Sequence, residues 1–325
     1  MTMRLPAFDF LAPETLEEAV ELVADPATTI IGGGTDLLPK MKRRQMTPPT
    51  VVSLRAIDEL RGIRTDEQGR CVIGASTILE QIVASTEVPP VLASAASKIA
   101  SPQIRNTATI GGNLCLDTRC NYIDMPELWR QASGHCLKDG GTVCWVAPKG
   151  DHCWAISSSD LAPVAIALDG SVRLASRDAQ RVIPIEDLYR NDGIAYQTMS
   201  SDEILVELLL PHFDGRATYR KLRRRDSIDF PLVGVAAAAR FDQTQTCTSA
   251  RIVIGAVASA PLRATDAEQF IVGRKLTEDV IDQAAQLASK PVRTQDNTDT
   301  GSRYRKWMTP VYVSRALRDL VVEDS

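Results

Sequence analysis

Four of the chain's seven cysteines fall within 34 residues, at Cys120, Cys136, Cys144 and Cys153 of "CNYIDMPELWRQASGHCLKDGGTVCWVAPKGDHC". Their spacing is C-x15-C-x7-C-x8-C. Four thiolates can hold a tetrahedral zinc ion or an iron–sulfur cluster, or they can stand as unliganded thiols. Zinc sites usually include a close C-x2–4-C pair that presents two ligands from one tight knuckle, and none occurs here. His135 and His152 each precede a cysteine. A mixed Cys/His zinc site therefore stays open, although sequence neighbours rarely both face one metal. Trp145 and Trp154 each follow a cysteine. They could screen a cluster from water, which helps to set its potential, or simply pack a loop that has little other core. Spacing and composition favour iron–sulfur over zinc and free thiols without eliminating either. Cys71, Cys115 and Cys247 read as ordinary thiols.

A second kind of chemistry is suggested by two glycine turns, "IIGGGTDLL" (30–38) and "TIGGN" (109–113). Glycine reaches backbone angles that other residues avoid, and without a Cβ it lets a ligand approach the chain. Successive N–H groups in such a turn form a concave nest suited to phosphate oxygens, and Thr35 and Asn113 can add side-chain donors. Two nests together suit a diphosphate. Neither turn matches G-x-G-x-x-G or G-x-x-x-x-G-K-[ST], so a Rossmann or P-loop reading lacks its motif.

Short alternating elements must position these groups. Thr15 stands three before Glu18 at capping-box spacing, and Leu16, Ala19, Val20 and Val23 share a face, which predicts a helix over about 15–24. "TTII" (28–31) and "TVVSL" (50–54) predict strands around the first glycine turn. "CVIGAST" (71–77) predicts a strand running into a helix start at Thr77, and "PPVLASAASKIAS" (89–101) predicts a helix. "SSSDLAPVAIALDG" (157–170) predicts a capped helix, and "SVRLAS" (171–176) and "EILVELLLP" (203–211) predict strands. Beyond Pro211 the pattern changes. Two strands are expected near 231–241 and 250–257, then a Thr277-capped helix with Val280, Ala284, Leu287 and Ala288 on one face, and a last helix carrying "VYVSRALRDL" (311–320).

At 325 residues the chain can hold two or three cores, and 44% hydrophobic with 24% charged residues is ordinary for a globular protein. The net charge of −4 and a single short basic run, "RKLRRR", argue against nucleic-acid binding. "MTMRLPAFDF" has no signal-peptide pattern, and no apolar stretch reaches membrane-spanning length. A cytoplasmic setting is expected, and in a reducing compartment clustered cysteines are metal ligands more often than disulfides. No convincing catalytic acid, base or nucleophile stands out. His212, in "LPHFDG", reads as a surface residue of a linker.

The segments "FDFLAPETLEEAVELV", "IIGGGTDLLPKMK", "VVSLRAIDELRGI", "VIGASTILEQI", "IASPQIRNTATIGGNL" and "SSDLAPVAIAL" occur in one order. So arranged, they resemble the FAD-binding subunits of molybdenum hydroxylases, a group that includes the xanthine dehydrogenase flavin domain and the carbon monoxide dehydrogenase medium subunit. "PLRATDAEQFIVGRKLTEDVIDQAAQLA" is similar to the same family's C-terminal domain. The resemblance covers all but roughly residues 116–156. It implies an α+β fold: a vanillyl-alcohol-oxidase-type FAD domain over 1–212, in subdomains of about 1–55 and 56–212, then a C-terminal α+β domain over 213–325. It implies that Ile30, Ile31, Gly32, Gly33, Gly34, Thr35, Asp36 and Leu37 form one pyrophosphate loop. Thr109, Ile110, Gly111, Gly112 and Asn113 would form the other, with Asp160, Leu205 and Lys221 as further flavin contacts. On residue type alone, Leu205 is a core residue and Lys221 a solvated lysine.

In this family the path from "GGN" to "SDL" is short, so residues 116–156 are an insertion. A four-cysteine insertion of this kind is similar to that of the family's 4-hydroxybenzoyl-CoA reductase branch, where it carries a [4Fe–4S] cluster. That resemblance implies Cys120, Cys136, Cys144 and Cys153 as cluster ligands beside FAD. It also implies partners: a large molybdenum-cofactor subunit and a small subunit with two [2Fe–2S] clusters, as a dimer of heterotrimers. An external low-potential donor such as a ferredoxin would feed the chain. The competing reading is an ordinary hydroxylase or dehydrogenase flavin subunit with a zinc-stapled insertion.

Overall fold

The computed structural model describes residues 4–321, and no helix among them is long and apolar enough to cross a membrane. The first layer is a parallel sheet of β1 (Asp9–Leu11), β2 (Thr28–Ile31) and β3 (Thr50–Ser53), in the order β1-β3-β2. Helix α1 (Leu16–Val23) connects the first two strands, and the Thr15 hydroxyl caps it by accepting from the Glu18 N–H at 3.1 Å. Its Leu16, Ala19, Val20 and Val23 are buried against Val52 and Leu54, so the spaced apolar face does what its period requires. Helix α2 (Leu37–Lys42) follows the first glycine segment.

The second sheet is antiparallel, ordered β4-β5-β8-β6-β7. Its strands are β4 (Ile63–Thr65), β5 (Cys71–Gly74), β6 (Ser171–Ala175), β7 (Gln180–Pro184) and β8 (Ile204–Leu210). Central β8 reads ILVELLL, and all its residues are buried, as a near-continuous apolar run allows. Between β5 and β6 lie α3 (Leu79–Ala84), α4 (Pro90–Ser97), α5 (Pro102–Arg105), α6 (Ile110–Leu114), α7 (Glu127–Ala132) and α8 (Leu161–Ala167). Helix α8 is buried along its whole length between α4 and the third sheet.

That third sheet is antiparallel, ordered β12-β11-β10-β9. It consists of β9 (Arg216–Leu222), β10 (Val233–Phe241), β11 (Cys247–Gly255) and β12 (Leu262–Arg263). The two-residue period of β10 divides its side chains. Val233, Val235, Ala237 and Ala239 pack with α9 (Thr265–Ile271), α10 (Glu278–Ser289) and α11 (Ser302–Arg318). Ala236 and Ala238 face the core shared with α8.

Three local expectations are revised. "TIGGN" is not a turn but the start of α6, because the Thr109 hydroxyl accepts from the Gly112 N–H at 3.2 Å and caps it. The buried face of α10 is Ile281, Ala284, Ala285 and Ala288; Ala284 and Ala288 are as expected, while Val280 and Leu287 pack half-buried at its edge. Strand β9 was not anticipated, since RATYRKL lacks an apolar run; it lies at the sheet edge, where polar and basic positions reach solvent.

Candidate functional site

The two glycine segments meet. A Cβ on Gly33 would lie 2.0 Å from the Thr107 carbonyl oxygen, and one on Gly32 would lie 2.8 Å from Thr109 Oγ1. Gly34 has φ of +72°, a left-handed conformation that favours glycine. Only bare backbone permits this approach. The junction opens into a cavity of about 530 Å3, within the range of small-molecule sites.

Residues 30–37, Thr109, Gly111, Gly112, Asn113, Asp160 and Leu205 all lie on its wall. Asn113 Oδ1 accepts from the Ser159 hydroxyl at 2.8 Å and the Leu161 N–H at 3.2 Å, which ties the second glycine segment to the start of α8. Two of the expected residues stand behind the wall. Ile110 is fully buried in the core. Lys221 is buried on β9, donating to Asp160 Oδ2 at 2.9 Å and to the Lys98 carbonyl at 3.0 Å. Asp160 also accepts from the Tyr219 hydroxyl at 2.7 Å. Burial raises the Asp160 carboxyl, and the Lys221 ammonium opposes that rise. The lysine therefore acts on the cavity through Asp160.

Sequence reading missed the opposite wall. Arg119 bonds Asp36 at 2.8 Å and sits 4.1 Å from the centre of the Phe230 ring. Tyr196 and Asp117 complete that side. Asp117 accepts from Lys40 Nζ at 2.6 Å and from Lys138 Nζ at 2.8 Å, and Lys40 also pairs with Asp36 at 3.0 Å. Burial alone would raise the Asp117 carboxyl, but Lys138 and Lys40 outweigh it and hold the group below the ordinary carboxylate range. No local signal marks these residues, because Lys40, Asp117 and Lys138 come from three distant segments.

Cys120, Cys136, Cys144 and Cys153 are free, buried and gathered on one small cavity together with Tyr122, Leu137, Lys138 and Trp145. Burial pushes the Cys120 thiol up to about 12 and the Cys153 thiol up to about 11. Neither histidine lines this cavity. His135 Nδ1 is bonded to Asp139 at 2.6 Å, and His152 packs on Trp154. Trp145 makes edge contacts with Tyr122 and Trp129, an aromatic wall over the thiols. The open space is about 10 Å3, roughly one water-sized sphere, and four thiols on its lining are the donor set of an iron–sulfur cluster. No three His, Cys, Asp or Glu residues among those described form a group able to hold a single metal ion. Tetrahedral zinc would need its sulfurs about 3.8 Å apart, from a Zn–S bond of about 2.3 Å.

The insertion is anchored at its mouth and its flank. Arg119 and Ile156 exchange backbone hydrogen bonds at 2.9 and 2.8 Å, which brings the two ends together. The Asn121 N–H donates to the Asn297 carbonyl at 2.9 Å, while the Asn297 amide donates to the Trp154 carbonyl. Arg305, fully buried on α11, holds Asn297 Oδ1 at 2.9 Å. Asn297 thus fixes the residues next to Cys120 and Cys153.

Residues 6–213 match the family described as the FAD binding domain in molybdopterin dehydrogenase, and residues 217–320 match the CO dehydrogenase flavoprotein C-terminal domain. The carbon monoxide dehydrogenase medium chain of Hydrogenophaga pseudoflava is 28% identical, with 96% of both chains covered. The nicotinate dehydrogenase FAD-subunit of Eubacterium barkeri is 30% identical, covering 85% of this chain and 83% of its own. A solved structure of the Hydrogenophaga pseudoflava carbon monoxide dehydrogenase superposes with a TM-score of 0.80 over 98% of both chains, at 27% identity.

Proposed function

This chain belongs to the FAD-binding subunits of the molybdenum hydroxylase family, and from that premise we propose that it is the flavin and [4Fe–4S] electron-transfer subunit of a 4-hydroxybenzoyl-CoA reductase. The FAD diphosphate would lie against the backbone of residues 32–34 and 109–113, where Gly33 and Gly111 have no room for a Cβ. Asp160, held by Lys221 and Tyr219, would fix the cofactor from the α8 side, and Leu205 would supply apolar wall. The four cysteines would ligate the cluster. When bound, the two groups supply a relay from a low-potential donor such as a ferredoxin to two [2Fe–2S] clusters and molybdenum on partner subunits. The partners would be a large molybdenum subunit and a small iron–sulfur subunit, as a dimer of heterotrimers. The overall reaction consumes 4-hydroxybenzoyl-CoA, two electrons and two protons, and yields benzoyl-CoA and water on the partner chain.

The convergence of four buried thiols, with no histidine, beside the wall of the flavin cavity carries this reading. Zinc has no redox chemistry and would gain nothing from that position. The second reading, an ordinary dehydrogenase flavin subunit with a structural zinc loop, is favoured by relatives named as carbon monoxide and nicotinate dehydrogenases. The test is the purified complex, reduced by dithionite-poised ferredoxin and given 4-hydroxybenzoyl-CoA. Formation of benzoyl-CoA supports the proposal. Its absence, with oxidation of a heterocycle or aldehyde by the same preparation, moves the chain to the second reading.

A further inference from the structure

Lys138 lines the cysteine cavity and also touches the wall of the flavin cavity. It follows Cys136 by two residues, and its side chain is only 11% exposed. Its ammonium donates to Asp117 Oδ1 at 2.8 Å, to Thr118 Oγ1 at 2.8 Å and to the Gly193 carbonyl at 2.6 Å, and it lies 5.4 Å from the centre of the Tyr196 ring. Asp117 and Tyr196 both line the flavin cavity. Beyond Asp117, Lys40 and Asp36 extend the alternating charges to the first glycine segment. A run of opposite charges therefore joins the two candidate cofactor sites, and a lysine stands at the cysteine end.

We propose that Lys138 is the positioning residue that couples the two sites electrostatically, favouring the reduced form of whatever redox group the four cysteines hold. The inference rests on the flavin and cluster reading given above. Reduction transfers one electron from the low-potential donor to a thiolate-ligated cluster and adds one negative charge there. A cation at short range behind a buried wall stabilises that added charge far more than a solvent-exposed one. Net charge around a cluster is one of the levers that set its potential. Lys138 is donated by the insertion itself, so the same segment supplies the ligands and the charge that tunes them. Its bonds to Asp117 and Gly193 prevent the ammonium from turning to solvent.

The test compares Lys138→Met, Lys138→Arg and Asp117→Asn in the full chain, purified anaerobically, with iron and flavin content measured first. Reduced-to-oxidised ratios are then read by EPR for the cluster and by visible absorption for the flavin at a fixed applied potential. Lys138→Met is expected to lower the cluster ratio about tenfold, which is about 59 mV for a one-electron couple. Lys138→Arg should stay within about twofold of the parent, since the charge remains. Asp117→Asn should move the ratio the other way, because it removes a negative charge from between two lysines. A merely structural role would move all three in one direction. Equal shifts in the Met and Arg variants, or no shift in Met with iron intact, would overturn the inference. If Lys138→Met loses iron, the sign of the Asp117→Asn shift decides. A parent protein without iron sinks the cluster reading separately; the flavin ratio then tests Lys138, and an unmoved ratio in Lys138→Met overturns its role.

Discussion

The flavin cavity and the cysteine pocket lie side by side but are built by opposite means. The flavin cavity is walled largely by regular elements, β2, α2, α6, the N-cap of α8 and Leu205 of β8, closed by the loop residues Asp117, Arg119, Tyr196 and Phe230. Its close approaches are backbone on backbone, at Gly33 against Thr107. The cysteine pocket has one short helix, a core of a few residues, and anchors supplied by Asn297 and the Arg119–Ile156 bridge. Burial stabilises the first without a ligand. In the second, burial holds the Cys120 and Cys153 thiols in the protonated form, and a metal bound there would supply what the small core does not. The difference teaches that one site is stabilised by its fold, whereas the inserted one is left with a core of a few residues and a handful of anchors.

That contrast is broken most directly at a ligand. Cys136→Ser is expected to lose essentially all iron and its broad visible absorption while FAD stays bound, because the glycine segments of the flavin cavity, residues 32–34 and 109–113, lie outside the insertion. Metal analysis and flavin release check it, and loss of both together would show that the two regions are one unit.

The next effect in size is on stability. Asp160→Ala leaves the Lys221 ammonium buried without its carboxylate. The expected cost is about 3–5 kcal/mol, read from urea unfolding, with Asp160→Ala/Lys221→Met recovering part of it. Gly33→Ala comes next. It forces a methyl into the Thr107 carbonyl, costs about 1–3 kcal/mol and lowers FAD content, while iron per chain should hold. An alanine variant with full flavin would mean that the two glycine segments need not touch.

The smallest effect sharpens the comparison through pH. Thiols raised to about 12 at Cys120 and about 11 at Cys153 favour the neutral form in the metal-free fold. The metal-free fold binds more protons than the unfolded chain above the ordinary thiol value near 9. Its stability is therefore full below that pH and falls as pH climbs toward 11–12. Metal-loaded protein, with ligands already thiolate, should not show that fall. Unfolding midpoints of chelator-treated and untreated protein at about pH 8 and about pH 10 make the comparison.

Much of the flavin side was legible because its signals are local. "TTII" followed by three glycines predicts a strand and a bare turn, and Thr15 with its apolar stripe predicts α1. Leu205 was readable as core from type alone, yet it also faces the cavity. What stayed hidden is contact between distant segments. Strand β9 was invisible because an edge strand needs no apolar run, and with it went the place of Lys221 behind Asp160. Spacing identified the four cysteines as a set. It could not indicate that Asn297, from the C-terminal half, anchors the residues beside Cys120 and Cys153, or that Lys138 reaches Asp117.

The central claim is tested most directly by metal and flavin analysis of anaerobically purified protein, with an EPR spectrum after dithionite reduction. The account predicts about four irons per FAD and the signal of a reduced [4Fe–4S] cluster. One zinc per FAD with no such signal would contradict it and leave the insertion as a structural staple.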